Sequence, residues 1–144
     1  LLRFMLWVMF FDERLEDSQG WTDRAAPDLI CRDFGGDVLF WGEAAAPPMK
    51  RIVRTLSRNK RARIVVLFVD EEEADEFHRN LRAARVREPG RVEIMLMDRV
   101  FMRRLESIAS RSMRWEATIT EGLLYLDCDG ELLTGSMLPK EQAA

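Results

Sequence analysis

One histidine, two cysteines and three lysines (Lys50, Lys60 and Lys140) are all that 144 residues contain of these types, and each scarcity removes a kind of chemistry. His78 stands between Phe77 and Arg79 in a polar stretch, and no Gly-x-Ser-x-Gly elbow accompanies it. The constellation of a serine or cysteine hydrolase is therefore missing, and His78 reads as a surface residue. Cys31 and Cys128 with one histidine do not complete a four-ligand zinc set, nor can two cysteines staple a domain of this size. They read as buried thiols in a reducing compartment, which gives a cytoplasmic expectation. Neither a Gly-x-x-x-x-Gly-Lys loop nor a Gly-x-Gly-x-x-Gly loop is present to cradle phosphates. Asp127-Cys128-Asp129-Gly130 starts like a calcium loop, but Leu132 and Leu138 stand where that loop needs Gly and Glu, so it reads as a turn.

Long hydrophobic runs are absent as well. The apolar stretch Leu1–Phe11 ends at Asp12-Glu13-Arg14, well short of the ~18 residues a membrane helix needs. It also lacks small residues before a cleavage site, so no membrane association is expected. What is present is 47% hydrophobic and 33% charged residues, the make-up of one globular domain spanning 1–144. The net charge of −3 is a sum of segregated blocks. Seven basic residues lie between positions 50 and 63 with no acid among them, and six acids follow within 70–76. Those acids suit the N-terminus of a helix, where they complement its dipole.

Periodicity predicts a buried helix over 1–16, apolar around nearly its whole circumference, then a loop through Pro27. Asp28–Asp33 and Asp37–Glu43 read as a hairpin around Phe34-Gly35-Gly36. Helices follow at 48–58, 71–85 and 98–110, the last with Asp98 as N-cap, and buried strands at 63–69 and 91–97. Residues 113–120 and 122–127 form a second hairpin around Glu121-Gly122, and 131–137 add an edge strand. The order makes an α/β sandwich around a mixed sheet.

Two features could carry chemistry. A two-residue Gly35-Gly36 turn places Phe34 opposite Asp37 and, at the open end, Asp28 opposite Glu43. Directly opposed residues hold their Cβ atoms ~4.5–5.5 Å apart, so the two carboxylates are either hydrated at an exposed end or bridged by a cation such as Mg²⁺. The second feature is the helix at 48–58. Lys50, Arg51, Arg54 and Arg58 fall within one arc of about 100°, with Met49, Ile52, Val53 and Leu56 opposite. A basic face beside paired carboxylates fits a metal-dependent phosphodiesterase, and equally the solvated face of an amphipathic helix.

Read in order, the chain resembles the YaeQ family of uncharacterised bacterial proteins. The resemblance runs through Met5-Leu6-Trp7, Phe11-Asp12-Glu13-Arg14-Leu15, Pro27-Asp28-Leu29, Gly36-Asp37, Trp41-Gly42-Glu43, Pro47 and Arg51-Ile52. It continues in Ala109-Ser110-Arg111-Ser112-Met113, Glu116-Ala117-Thr118-Ile119, Glu121-Gly122 and Leu124-Tyr125-Leu126. It implies a PD-(D/E)xK restriction-endonuclease-like three-layer sandwich with a mixed central sheet, an added C-terminal hairpin, and a family strand lying upstream of Leu1. It further implies a divalent site, Mg²⁺ or Mn²⁺, held by Asp28, Glu43 and Asp37. Arg54 would stand where the family carries its lysine, since Ala45 occupies the superfamily's usual lysine position. Arginine binds phosphate through its fork of donors but is not deprotonated near neutral pH, so it cannot serve as a base. Two functions follow. One is a Mg²⁺-dependent, degenerate nuclease-like hydrolase using Asp28, Glu43 and Arg54. The other is a non-catalytic module that binds nucleic acid or a protein through Lys50, Arg51, Arg54 and Arg58. The residues leave the oligomeric state open.

Overall fold

The computed structural model describes residues 1–17, 27–110 and 112–140. Its elements are α1 (Leu2–Met9), β1 (Leu15–Asp17), β2 (Leu29–Arg32), β3 (Val38–Ala44), α2 (Met49–Arg58), β4 (Arg63–Phe68) and α3 (Glu71–Ala83). They continue with β5 (Val92–Met97), α4 (Arg99–Ile108), β6 (Trp115–Thr120), β7 (Leu123–Cys128) and β8 (Glu131–Pro139). The eight strands form one mixed sheet in the order β1-β2-β3-β4-β5-β8-β7-β6, with β3, β4 and β5 parallel and the other pairings antiparallel.

β4 shows why the sheet needs cover on both faces. Its run Arg63-Ile-Val-Val-Leu-Phe68 sends Ile64, Val66 and Phe68 one way, against Ile52 and Leu56 of α2 and Ala74, Phe77 and Leu81 of α3. Val65 and Leu67 point the other way, to Met5 and Leu6 of α1 and Phe101, Met102 and Leu105 of α4. The alternation of a strand therefore feeds two cores and yields three layers. Two glycines make the close approaches possible. A Cβ on Gly42 would lie 2.9 Å from Leu6 Cδ2, and one on Gly135 would lie 2.5 Å from Phe101 Cγ.

The predicted helix over 1–16 stops at Met9. The Asp12 side chain accepts hydrogen bonds from the Arg14 backbone N–H (2.9 Å) and its Nε (3.1 Å), a local turn that competes with helix. The chain then pairs as β1, Leu15 against Cys31. Nor is α1 covered on all sides. Met5 and Leu6 are fully buried, whereas Phe4 is 43% and Phe11 59% exposed in an aromatic chain with Trp7 and Trp115. The loop expected over 18–26 lies outside the described residues.

The 131–137 segment is not the edge. β8 runs between β7 and β5, pairing along 131–136 with β7 and along 137–139 with β5, and β6 takes the edge. Sequence patterning could not separate these roles, because β8 buries Leu133, Gly135 and Met137 in alternation, as a half-covered edge strand would. The second hairpin turns at Glu121-Gly122 (φ 50° and 78°), the geometry that favours glycine at its second position. Both cysteines are buried free thiols, and the 127–130 segment is a turn in which Asp127 Oδ1 accepts from Gly130 N.

Candidate functional site

β2 and β3 set the register on which the site depends. Leu29 faces Gly42, Ile30 faces Trp41 and Cys31 faces Phe40, so the ladder continues to Asp28 beside Glu43. The turn that fixes this register differs from the expected two-residue one. Asp33 Oδ1 accepts from the N–H groups of Gly35 and Asp37 at 2.9 Å each, and the Asp33 N–H bonds to the Asp37 carbonyl. A register shift follows, with Arg32 opposite Val38 and Cys31 opposite Phe40, so Leu39 is the extra residue. The longer turn and the bulge compensate each other. Phe34 is not opposed to Asp37 but stands fully exposed at the tip.

At the open end the two acids behave differently. Glu43 is 1% exposed, one of two buried polar or charged residues among those described, the other being Thr55 of α2. Its two oxygens are held by one guanidinium, Arg51 Nη2 to Oε1 at 2.6 Å and Arg51 Nε to Oε2 at 2.9 Å. Burial raises the Glu43 pKa above the ordinary carboxylate value; Arg51 opposes that rise, and the charge of Asp28 adds to it. Trp41, two residues back on the same face, adds a smaller lowering influence, although its buried indole N–H closes no hydrogen bond. Asp28 is half-buried, with Oδ2 accepting from the Ala44 backbone N–H at 2.7 Å, and its carbonyl accepts from Arg3 Nη2 at 3.3 Å. Ala45 follows with φ of 70°, a left-handed conformation uncommon for alanine, held by its N–H to the Leu67 carbonyl.

α2 starts directly after this bend and carries the remaining candidates. Arg51 turns inward to Glu43, while Lys50, Arg54 and Arg58 stay exposed and pair with no acid among the described residues. Arg54, expected from the resemblance in the place of the family lysine, is thus not the arginine that meets Glu43. The helical wheel holds the signal for this. Arg51 lies at the margin of the basic arc, about 40° from Thr55, which is buried with Ile52 and Leu56. Val53, expected on the packed face, is 38% exposed, and Thr55 takes a buried place instead.

Asp37 sits at the far end of β3, six residues and about 20 Å of strand from Glu43, where it lies 3.9 Å from Arg61. The set Asp28, Asp37 and Glu43 is therefore not brought together. Among the described residues no group of three or more metal-ligating side chains converges. With both Glu43 oxygens on Arg51 and one Asp28 oxygen on the Ala44 N–H, the donor set does not fit a divalent ion as it stands. No helix among the described residues is long and apolar enough to cross a membrane.

Known proteins share this fold. Curated relatives include the "Uncharacterized protein YaeQ" of Salmonella typhi, 24% identical over 126 residues that cover 88% of this chain and 68% of that one. The protein of the same name from Escherichia coli (strain K12) is 23% identical over 129 residues, 90% of this chain and 70% of the relative. The crystal structure of YaeQ protein from Xanthomonas axonopodis pv. citri superposes with a TM-score of 0.77 at 23% identity, over 95% of this chain and 76% of that one. That of YaeQ protein from Pseudomonas syringae does so at 0.73 and 18% identity, over 95% and 74%. The family model for YaeQ protein matches residues 1–136. The chain belongs to the YaeQ family.

Proposed function

We propose that this protein is a non-catalytic nucleic-acid-binding module on a PD-(D/E)xK-like scaffold, with the exposed ridge Lys50, Arg54 and Arg58 of α2 as its phosphate contacts. The observation that carries the reading is the Arg51–Glu43 pair. A buried carboxylate of this kind of site needs a cation, and here a guanidinium of the same chain supplies it through both oxygens. Arg51 thereby belongs to the scaffold, and three neighbouring cations are left facing solvent at the start and along the length of one helix. Spaced four residues apart, they rise about 6 Å at each step, a repeat that suits successive phosphates of one strand.

The acid pair supports a second reading, a Mg²⁺- or Mn²⁺-dependent phosphodiesterase in which Asp28 and Glu43 hold the ion once Arg51 is displaced. Fluorescence anisotropy with labelled DNA and RNA oligonucleotides separates the two. The module reading expects salt-sensitive binding that EDTA leaves unchanged and no cleavage in Mg²⁺ or Mn²⁺. Cleavage abolished by Glu43→Ala, or binding that requires the metal, overturns it.

A further inference from the structure

Beside the basic ridge, on the same helix, lies a cavity of about 590 Å³ that neither the acid pair nor the ridge uses. One wall is α2, through Val53, Leu56, Ser57 and Lys60 just beyond its end. The other is the α3–β5 connection, through Val86, Arg87 and Glu88. Val53, Leu56 and Val86 make an apolar floor. Arg91 closes the base and is not available to a ligand. Its guanidinium donates to the carbonyls of Leu56 (3.0 Å), Asn59 (2.5 Å) and Ala62 (3.2 Å), where it caps the end of α2. The rim is cationic. Lys60 and Arg87 pair with no acid among the described residues, and the one rim acid, Glu88, stands 3.8 Å from Arg91.

Resting on the reading of α2 as a phosphate ridge, we infer that this cavity receives an unstacked nucleobase, so that the nucleic acid bound is single-stranded. Three observations converge on that occupant. The volume falls within the range of small-molecule sites, with an apolar floor and few polar groups at the rim. Its charge complements a polyanion, with Lys60 and Arg87 continuing the sign of Lys50, Arg54 and Arg58. Val53 and Ser57 stand about 60–100° around the helix from Arg54, so a strand whose phosphates follow the ridge has its bases turned towards the cavity. Ser57 Oγ donates to the Arg54 carbonyl at 2.9 Å, which leaves its lone pairs as acceptors for a base amine. A duplex keeps its bases stacked and cannot make this contact, whereas single strands are recognised through splayed bases.

The test measures the affinity of the whole protein for a labelled single-stranded oligonucleotide, its duplex, and an abasic deoxyribose-phosphate chain of equal length. The expected result is binding of the single strand about tenfold or more tighter than of the abasic chain or the duplex. Val53→Trp fills the cavity from α2, and Val86→Trp fills it from the opposite wall. Either should bring the single strand down to the abasic level while abasic binding and the melting temperature stay unchanged. Equal affinity for all three probes overturns the base pocket and leaves the ridge intact. Absence of binding to every probe overturns the ridge and the pocket together. Tighter binding of an acidic aromatic peptide than of the single strand overturns the pocket in favour of a protein partner.

Discussion

α2 and α3 cover the same face of the sheet and pack against the same strand, yet they are built on opposite electrostatic plans. α3 begins with Asp70, whose Oδ1 accepts from the Glu73 N–H, and places Glu71, Glu72 and Glu73 in its first turn and Arg82 in its last. The charges of its two end turns complement the helix dipole. α2 begins with Pro48, which makes no side-chain cap, and carries Lys50 and Arg51 at the end where cations are least favourable. α3 is a helix stabilised by its own sequence. α2 is held from outside, by the Arg51–Glu43 pair and by Ile52, Thr55 and Leu56 in the core. The cations of its first turn gain nothing from the helix dipole, which is the reason to look for a ligand there rather than on α3.

The strongest way to break the contrast is to remove the external hold. Arg51→Ala leaves Glu43 buried without its partner and should destabilise the protein by about 3 kcal/mol, measured by urea unfolding at neutral pH. The loss depends on pH. The folded-state pKa of Glu43 is raised, so its contribution is complete below the ordinary carboxylate range and is lost as pH rises through the raised value. In Arg51→Ala the burial effect is unopposed and that loss is larger. The gap between the two proteins should therefore narrow from about pH 8 to about pH 4, and a constant gap would refute the pairing as its cause.

Next in size is the ridge itself. Replacing Lys50, Arg54 and Arg58 together by Gln should weaken single-strand binding about 10- to 100-fold at low salt and flatten the salt slope by about 2. Lys50 stands at the end of α2 where a cation is unfavourable and Arg58 at the end where it is favourable, so the melting temperature should change little. Asp70→Ala tests the other helix, removing the cap on Glu73 and the 3.0 Å contact with Arg99, at a cost of about 1 kcal/mol with no effect on binding. The smallest change gives α2 what α3 has. Pro48→Ser places a capping hydroxyl on a residue already in N-cap conformation (φ −57°, ψ 133°) and should stabilise by about 0.5 kcal/mol in thermal unfolding.

Most elements from Asp28 to Cys128 were legible in the sequence because each carries its own punctuation: Gly35-Gly36, Asp70, Asp98 and Glu121-Gly122. The pattern overextends the first helix because an apolar run says how much surface must be buried and not which backbone buries it, and Asp12 turns the chain with a single side chain. The alternation of β8 reads as an edge strand, because strand order is a property of the whole sheet and not of one segment. The adjacency of Asp28 and Glu43 came out of the register even though the turn is longer than expected, since the bulge at Leu39 restores the count. The resemblance points to Arg54 beside the acids, whereas the structure puts Arg51 there. A three-residue step is a rotation of 60°, enough to take one arginine under the sheet and leave the other in water.

The seam between β5 and β8 carries a consequence in time. Three ladder pairs, Met95–Pro139 to Met97–Met137, flanked by hydrogen bonds from the Asp98 N–H to the Ser136 carbonyl and from the Lys140 N–H to the Ile94 carbonyl, join the parallel strands to the β6-β7-β8 meander, and Phe101 packed on Gly135 supports the junction. The meander is made of neighbours in sequence, whereas the β3–β4 and β4–β5 pairings must each wait for a helical crossover to close. The two halves should therefore mature at different speeds, with the final docking passing through this one short ladder. The order in which backbone amides become shielded from solvent during refolding should follow that sequence, with Met95–Met97 among the last.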